Sequence, residues 1–146
     1  MRTSPPKTVN TMKQSIAKAV RKLGIPTIKV KVNGEYFWFL VDSGSTANFI
    51  TQKTYDKIAS AAEKAGDCVA LGFEGKAVER PVFNVQYRIG RHDFTQEFGV
   101  MKCDHFNRVE KECGIKIDGL VGAPFMILHN IRIDYRSMTV EYGFKS

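Results

Sequence analysis

Few residues in this chain could do chemistry together, and the most suggestive is an acid set among short polar neighbours, Asp42-Ser43-Gly44-Ser45-Thr46. It directly follows the apolar run Trp38-Phe39-Leu40-Val41, and an acid so placed is costly to bury unless it is paired or hydrogen-bonded. Ser43, Ser45 and Thr46 supply short hydroxyls, while Gly44 permits a close backbone approach that a side chain would block. Such a loop can hold a carboxylate in one orientation, where it can activate a water as a general base or, when protonated, donate to a carbonyl. A bare Asp-Ser-Gly tripeptide would read as an ordinary turn acid. The context decides otherwise: two apolar residues precede the acid, and an apolar pair followed by glycine, Leu120-Val121-Gly122, comes later in the chain.

Other reactive groupings are weaker. Asp118-Gly119 lacks the intervening hydroxyl residue and belongs to the strand leading into Val121, while Asp134-Tyr135 and Asp104-His105 lack the glycine. Cys103-Asp104-His105, with Cys113 and His92, contains no C-x-x-C or H-x-x-x-H spacing, so these residues take loop and core roles and no metal is expected. No G-x-S-x-G elbow accompanies Ser43 or Ser45, which argues against a serine hydrolase. No cofactor is expected.

The elements that must position Asp42 follow from periodicity. Residues 1 to 9 read as a loose tail, and residues 10 to 23 as an amphipathic helix through Ile16, Val20 and Leu23, stopped by Gly24 and Pro26. Ile28, Val30 and Val32 then alternate with polar residues up to Asn33-Gly34, the favoured two-residue hairpin turn. The returning strand, Glu35 to Val41, becomes apolar on both faces and delivers Asp42 at its buried end. Thr51 reads as the N-cap of a helix holding Tyr55, Ile58, Ala59 and Ala62 before Gly66. Three strands follow between Cys68 and Met101, turning at Glu74-Gly75 and Gly90-Arg91, and then a short helix around Phe106 to Glu112. Ile117 to Leu128 gives a strand and a helical turn, and Ile131 to Tyr135 with Thr139 to Tyr142 a last hairpin. A mostly β chain with one or two helices and glycine-rich corners suggests a small closed barrel.

In order and spacing these features resemble the retropepsin-like aspartyl protease family, in particular its small bacterial gag-polyprotein-type members, over roughly residues 26 to 143. The resemblance implies an acid-protease barrel with one lobe per chain, the protease domain at 26–146 preceded by a basic tail and helix at 1–25. It implies Asp42 as the catalytic carboxylate, supported by Ser43, Gly44, Ser45 and Thr46. A flap from Cys68 to Phe83 would cover the site, with Gly72, Phe73 and Gly75 at its tip meeting substrate. Leu120, Val121 and Gly122 would pack beside the catalytic loop. The expected activity is aspartic endopeptidase cleavage of an extended polypeptide by a homodimer, Ser43 bonding across its axis. The alternative is an inactive dimerisation or peptide-binding module of the same fold. Two features depart from the pattern: Ala123-Pro124 stands where many relatives carry a polar or acidic residue, and residues 102 to 116 are longer than a minimal retropepsin needs.

Composition agrees with one lobe. At 146 residues and 43% hydrophobic content, the chain holds one core-bearing domain, so a second lobe must come from another chain. Its apolar runs are too short to cross a bilayer. No secretory signal is visible, and three cysteines cannot all pair within the chain, which points to reduced thiols and a cytoplasmic location. The formal charge of +7 gathers near the N-terminus, where Arg2, Lys7, Lys13, Lys18, Arg21, Lys22, Lys29 and Lys31 occur with no acid among them. Without a groove-reading motif this reads as a solvated basic segment, and neither nucleic acid nor membrane is expected as a partner.

Overall fold

The computed structural model describes residues 9–71, 77–102 and 104–145. In chain order its elements are β1 (Val9–Ser15), α1 (Ala17–Leu23), β2 (Thr27–Val32), β3 (Glu35–Val41), β4 (Phe49–Thr51), α2 (Gln52–Ile58), β5 (Ala62–Leu71), β6 (Ala77–Ile89), β7 (His92–Met101), α3 (Asp104–Cys113), β8 (Gly119–Val121), α4 (Ala123–Leu128), β9 (Arg132–Asp134) and β10 (Thr139–Lys145).

Six strands form a closed ring. β2 pairs antiparallel with β3, β3 parallel with β8, β8 antiparallel with β4, β4 parallel with β7, and β7 antiparallel with β6. The ring closes where Lys31 of β2 meets Arg88 of β6. Closure gives each of these six strands a neighbour on both sides, while β5 remains an edge strand paired only with β6. β5 and β6 form a long hairpin that runs past the ring and remains in register to Leu71↔Ala77. The expected flap tip, with Gly72, Phe73 and Gly75, lies outside the described residues.

Inward-facing residues follow the period of two. Ile28, Val30 and Val32 alternate on β2, and Phe37, Phe39 and Val41 on β3, filling the barrel with Tyr87, Phe98, Val100, Val121 and Phe125. Each large side chain so buried contributes roughly 1.5–3 kcal/mol. A second, smaller cluster of Phe106, Ile115 and Ile117, with Leu23, Leu40 and Val109, covers the outside of β3 near its end. Asn33 and Gly34 both have positive φ, 50° and 79°, as the hairpin turn requires.

Two expectations for secondary structure are corrected. Residues 10 to 15 are strand, not the first turns of a helix: β1 pairs with β10 from Val9↔Lys145 to Ser15↔Thr139, and helix begins only at Ala17. Tertiary pairing with a distant strand outweighs the local helical spacing. Likewise α2 ends at Ile58, a 3-10 turn spans Ala59–Ala61, and Ala62 already belongs to β5 opposite Val85. Gly66, read as a helix stop, has φ 145° and sits at a register shift in β5, where a bulge exploits its freedom. A separate three-stranded sheet, β1-β10-β9, completes the fold. No helix among the described residues is long and apolar enough to cross a membrane.

Candidate active site

β3 ends at Val41 because the pairing with β8 ends there: Phe39, Leu40 and Val41 lie opposite Gly119, Leu120 and Val121. The next N–H, that of Asp42, donates to the Val121 carbonyl at 2.9 Å. Asp42 therefore leaves the barrel from a fixed point, and its side chain is exposed. Its Oδ1 accepts the Gly44 N–H at 3.0 Å, and its carbonyl accepts the Ser45 N–H at 3.1 Å. A Cβ on Gly44 would lie 3.3 Å from Oδ1, so a side chain there would crowd the carboxylate. Among the described residues Oδ2 has no hydrogen-bond partner, and neither has the Ser43 hydroxyl.

The loop is braced from behind by the β8–α4 turn. The Ser45 carbonyl accepts the Ala123 N–H at 2.9 Å, and the Ser45 hydroxyl donates to the Ala47 carbonyl at 2.7 Å. Gly122 fits because it has no side chain: a Cβ would lie 2.5 Å from the Ser45 carbonyl oxygen and 2.6 Å from that of Ala47. Leu120, Val121 and Gly122 thus sit beside the Asp42 loop. Thr46 is exposed.

Sequence reasoning passed over Asn48, which is 2% exposed. Its Oδ1 accepts the Gly122 N–H at 2.9 Å, and its Nδ2 donates to Gln96 Oε1 and to the Glu97 carbonyl. Three segments, the loop before β4, the Gly122 turn and β7, are tied together by one side chain. The only local signal is an amide standing immediately before the apolar Phe49-Ile50 strand, where a turn residue would serve equally well.

Asp118 lies at the other end of the β3–β8 pair. Its Oδ2 accepts the Trp38 N–H at 2.9 Å, Lys116 Nζ is 3.6 Å away, and burial raises its pKa, partly offset by those two groups. It is a structural acid of the strand junction. Asp42 instead lines an open groove of ≈ 330 Å³ with Ile25, Pro26, Leu40, Leu120 and Tyr135. Ile25 and Tyr135 are apolar yet 44% and 55% exposed, and neither was expected at the site.

A family model described as aspartyl protease matches residues 28–125, a span from β2 into α4 that contains the Asp42 loop and its brace. No curated protein matches the chain. Among solved structures, a retropepsin-like aspartic protease from Rickettsia conorii is similar, with a TM-score of 0.60 at 17% identity over 94% of this chain and 92% of that one. The fold is retropepsin-like, mostly β, and by the family match the chain belongs to the aspartyl protease family.

Proposed function

We propose that the protein is an aspartic endopeptidase that works as a homodimer, with Asp42 of each protomer meeting on a two-fold axis. The observation that carries this reading is the isolation of Asp42: an exposed carboxylate on a doubly braced loop, with the other Asp-Gly acid of the sequence, Asp118, committed to the Trp38 N–H at the far end of the strand pair. Acid-protease chemistry needs two carboxylates. One takes a proton from the attacking water while the other, protonated, donates to the scissile carbonyl; at close range they share one proton, because two like charges so near do not both ionise. A two-fold homodimer supplies the second copy economically.

In that assembly the free Oδ2 of each Asp42 faces the shared water, and the Ser43 hydroxyls bond across the axis. The Gly44 N–H holds Oδ1 in place. Ile25 and Tyr135 line the Asp42 groove, so they become buried against the partner or the substrate. The β5–β6 hairpin, with Gly72, Phe73 and Gly75, closes over an extended peptide and excludes water other than the nucleophile.

Incubation with a mixed peptide library at acidic and neutral pH tests the reading, with Asp42→Ala as control and sedimentation run in parallel. Cleavage by a dimeric wild type, abolished in Asp42→Ala, is expected. Cleavage that survives the substitution sinks the mechanism, and a dimer that cleaves nothing under any condition identifies a binding module.

A further inference from the structure

We infer that the outward face of the β2–β3 hairpin is a binding platform for single-stranded nucleic acid. On this face Lys29 stands opposite Trp38 and Lys31 opposite Tyr36. The Lys29 ammonium lies 4.7 Å from the Tyr36 ring centre and 5.7 Å from that of Trp38, and the Lys31 ammonium 5.4 Å from that of Tyr36. Tyr36 is nevertheless 51% exposed. A cation held over an exposed ring such as that of Tyr36 gains only about 0.5–1 kcal/mol, so a nucleotide displaces it readily: the base takes the ring face and the freed ammonium takes the phosphate, with the half-buried Trp38 alongside.

The spacing suits a single strand. Tyr36 and Trp38 are two residues apart on one strand, hence roughly 7 Å apart along the face, which sets an exposed stacking position next to a half-buried one. Neither Lys29 nor Lys31 has a carboxylate within ion-pair distance among the described residues, whereas Arg88 beyond the seam is taken by Asp93 at 2.8 Å. Lys31 also walls a groove of ≈ 590 Å³ with Asn33, Gln86, Thr95 and the Arg88–Asp93 ion pair, whose two charges offset each other, a polar path into which the backbone can continue. Among the described residues up to Lys31 there is no acid, so β2 and the segment leading into it add no negative charge that would oppose a polyanion. Of the polyanions, one with flat bases uses the ring faces by stacking and the ammonium groups by phosphate contact at once.

The test is titration of the full-length protein with a single-stranded thymidine 20-mer at several salt concentrations. Anisotropy of the labelled strand and the emission of Trp38, the only tryptophan in the chain, are followed together. Saturable binding with quenching of Trp38 is expected, weakened about tenfold by Tyr36→Ala. The Lys29→Gln/Lys31→Gln pair should lower the salt slope by about 1.4, at about 0.7 per single-strand contact. Undiminished binding by Tyr36→Ala, absence of quenching, or equal affinity for duplex DNA or for polyglutamate of matched charge would each overturn the proposal.

Discussion

Asn48 Oδ1 holds the Gly122 N–H at 2.9 Å, so the segment after Asp42 and the turn before α4 are fastened by a single buried side chain. Its amide also anchors the same segment to β7 through Gln96 and the Glu97 carbonyl. Asn48→Ala leaves these buried groups unpaired, and each such group costs about 1–3 kcal/mol. A loss of roughly 2–4 kcal/mol is expected in urea unfolding, as a lower midpoint at unchanged slope. Asn48→Asp should destabilise further at neutral pH, because it replaces two donors with a buried charge.

Gly122→Ala tests the brace itself. The added methyl meets two backbone carbonyls at 2.5 and 2.6 Å, neither of which can swing aside as a flexible side chain would. The Asp42 loop must shift, and with Asp42 as the proposed catalytic carboxylate a shift of about 1 Å costs on the order of a hundredfold in rate. The variant should remain folded by circular dichroism while its kcat/KM falls steeply. Wild-type turnover by folded Gly122→Ala would mean that the brace does not position Asp42.

Stability should depend on pH through His129. This residue is fully buried, its Nε2 paired with the Tyr87 hydroxyl among Phe94, Phe125 and Tyr142, and burial lowers its pKa from 6.5 to about 4. Between those values the unfolded chain binds a proton that the folded chain refuses, so stability is complete above pH 6.5 and declines as pH falls toward 4. The total loss is about 3 kcal/mol. Asp118 works in the opposite sense: its raised pKa makes the folded carboxyl the better proton binder above 3.8 and so partly offsets the decline. Thermal midpoints from pH 7 to pH 4 should fall in the wild type and flatten in His129→Phe, after correction for the loss of its hydrogen bond to Tyr87.

Ile25→Glu and Tyr135→Glu probe the groove beside Asp42. Both side chains are exposed in the single chain, so folding stability should change by no more than about 0.5 kcal/mol. If the groove is buried on association, like charges brought together across the axis should raise the dimer dissociation constant by about tenfold to a hundredfold, read by sedimentation. Unchanged association would move the contact surface elsewhere.

Much of this architecture is legible in the residues. The Asn33-Gly34 turn, the apolar approach to Asp42, the Thr51 cap and the Leu120-Val121-Gly122 element are local signals, since each depends on steric or hydrogen-bonding preferences of neighbouring residues. The Thr51 hydroxyl, for instance, accepts the Thr54 N–H at 3.2 Å. What escaped reading depends on distant partners. Residues 10 to 15 become strand because β10 supplies their hydrogen bonds from the other end of the chain, and nothing nearby announces it. Asn48 looks like any turn amide until β7 and the Gly122 turn close around it. Ile25 and Tyr135 meet at Asp42 only through the fold, coming from opposite ends of the sequence.

The pairing of Asp42 across two chains is tested most directly by mixing wild-type and Asp42→Asn protomers at fixed total concentration, allowing exchange, and measuring peptide cleavage against the wild-type fraction. If each site needs one Asp42 from each protomer, only wild-type pairs are active, and activity follows the square of that fraction, about one quarter of full activity in an equal mixture. A linear dependence, with about one half remaining in the equal mixture, would show that a single chain carries a complete site and would contradict the account.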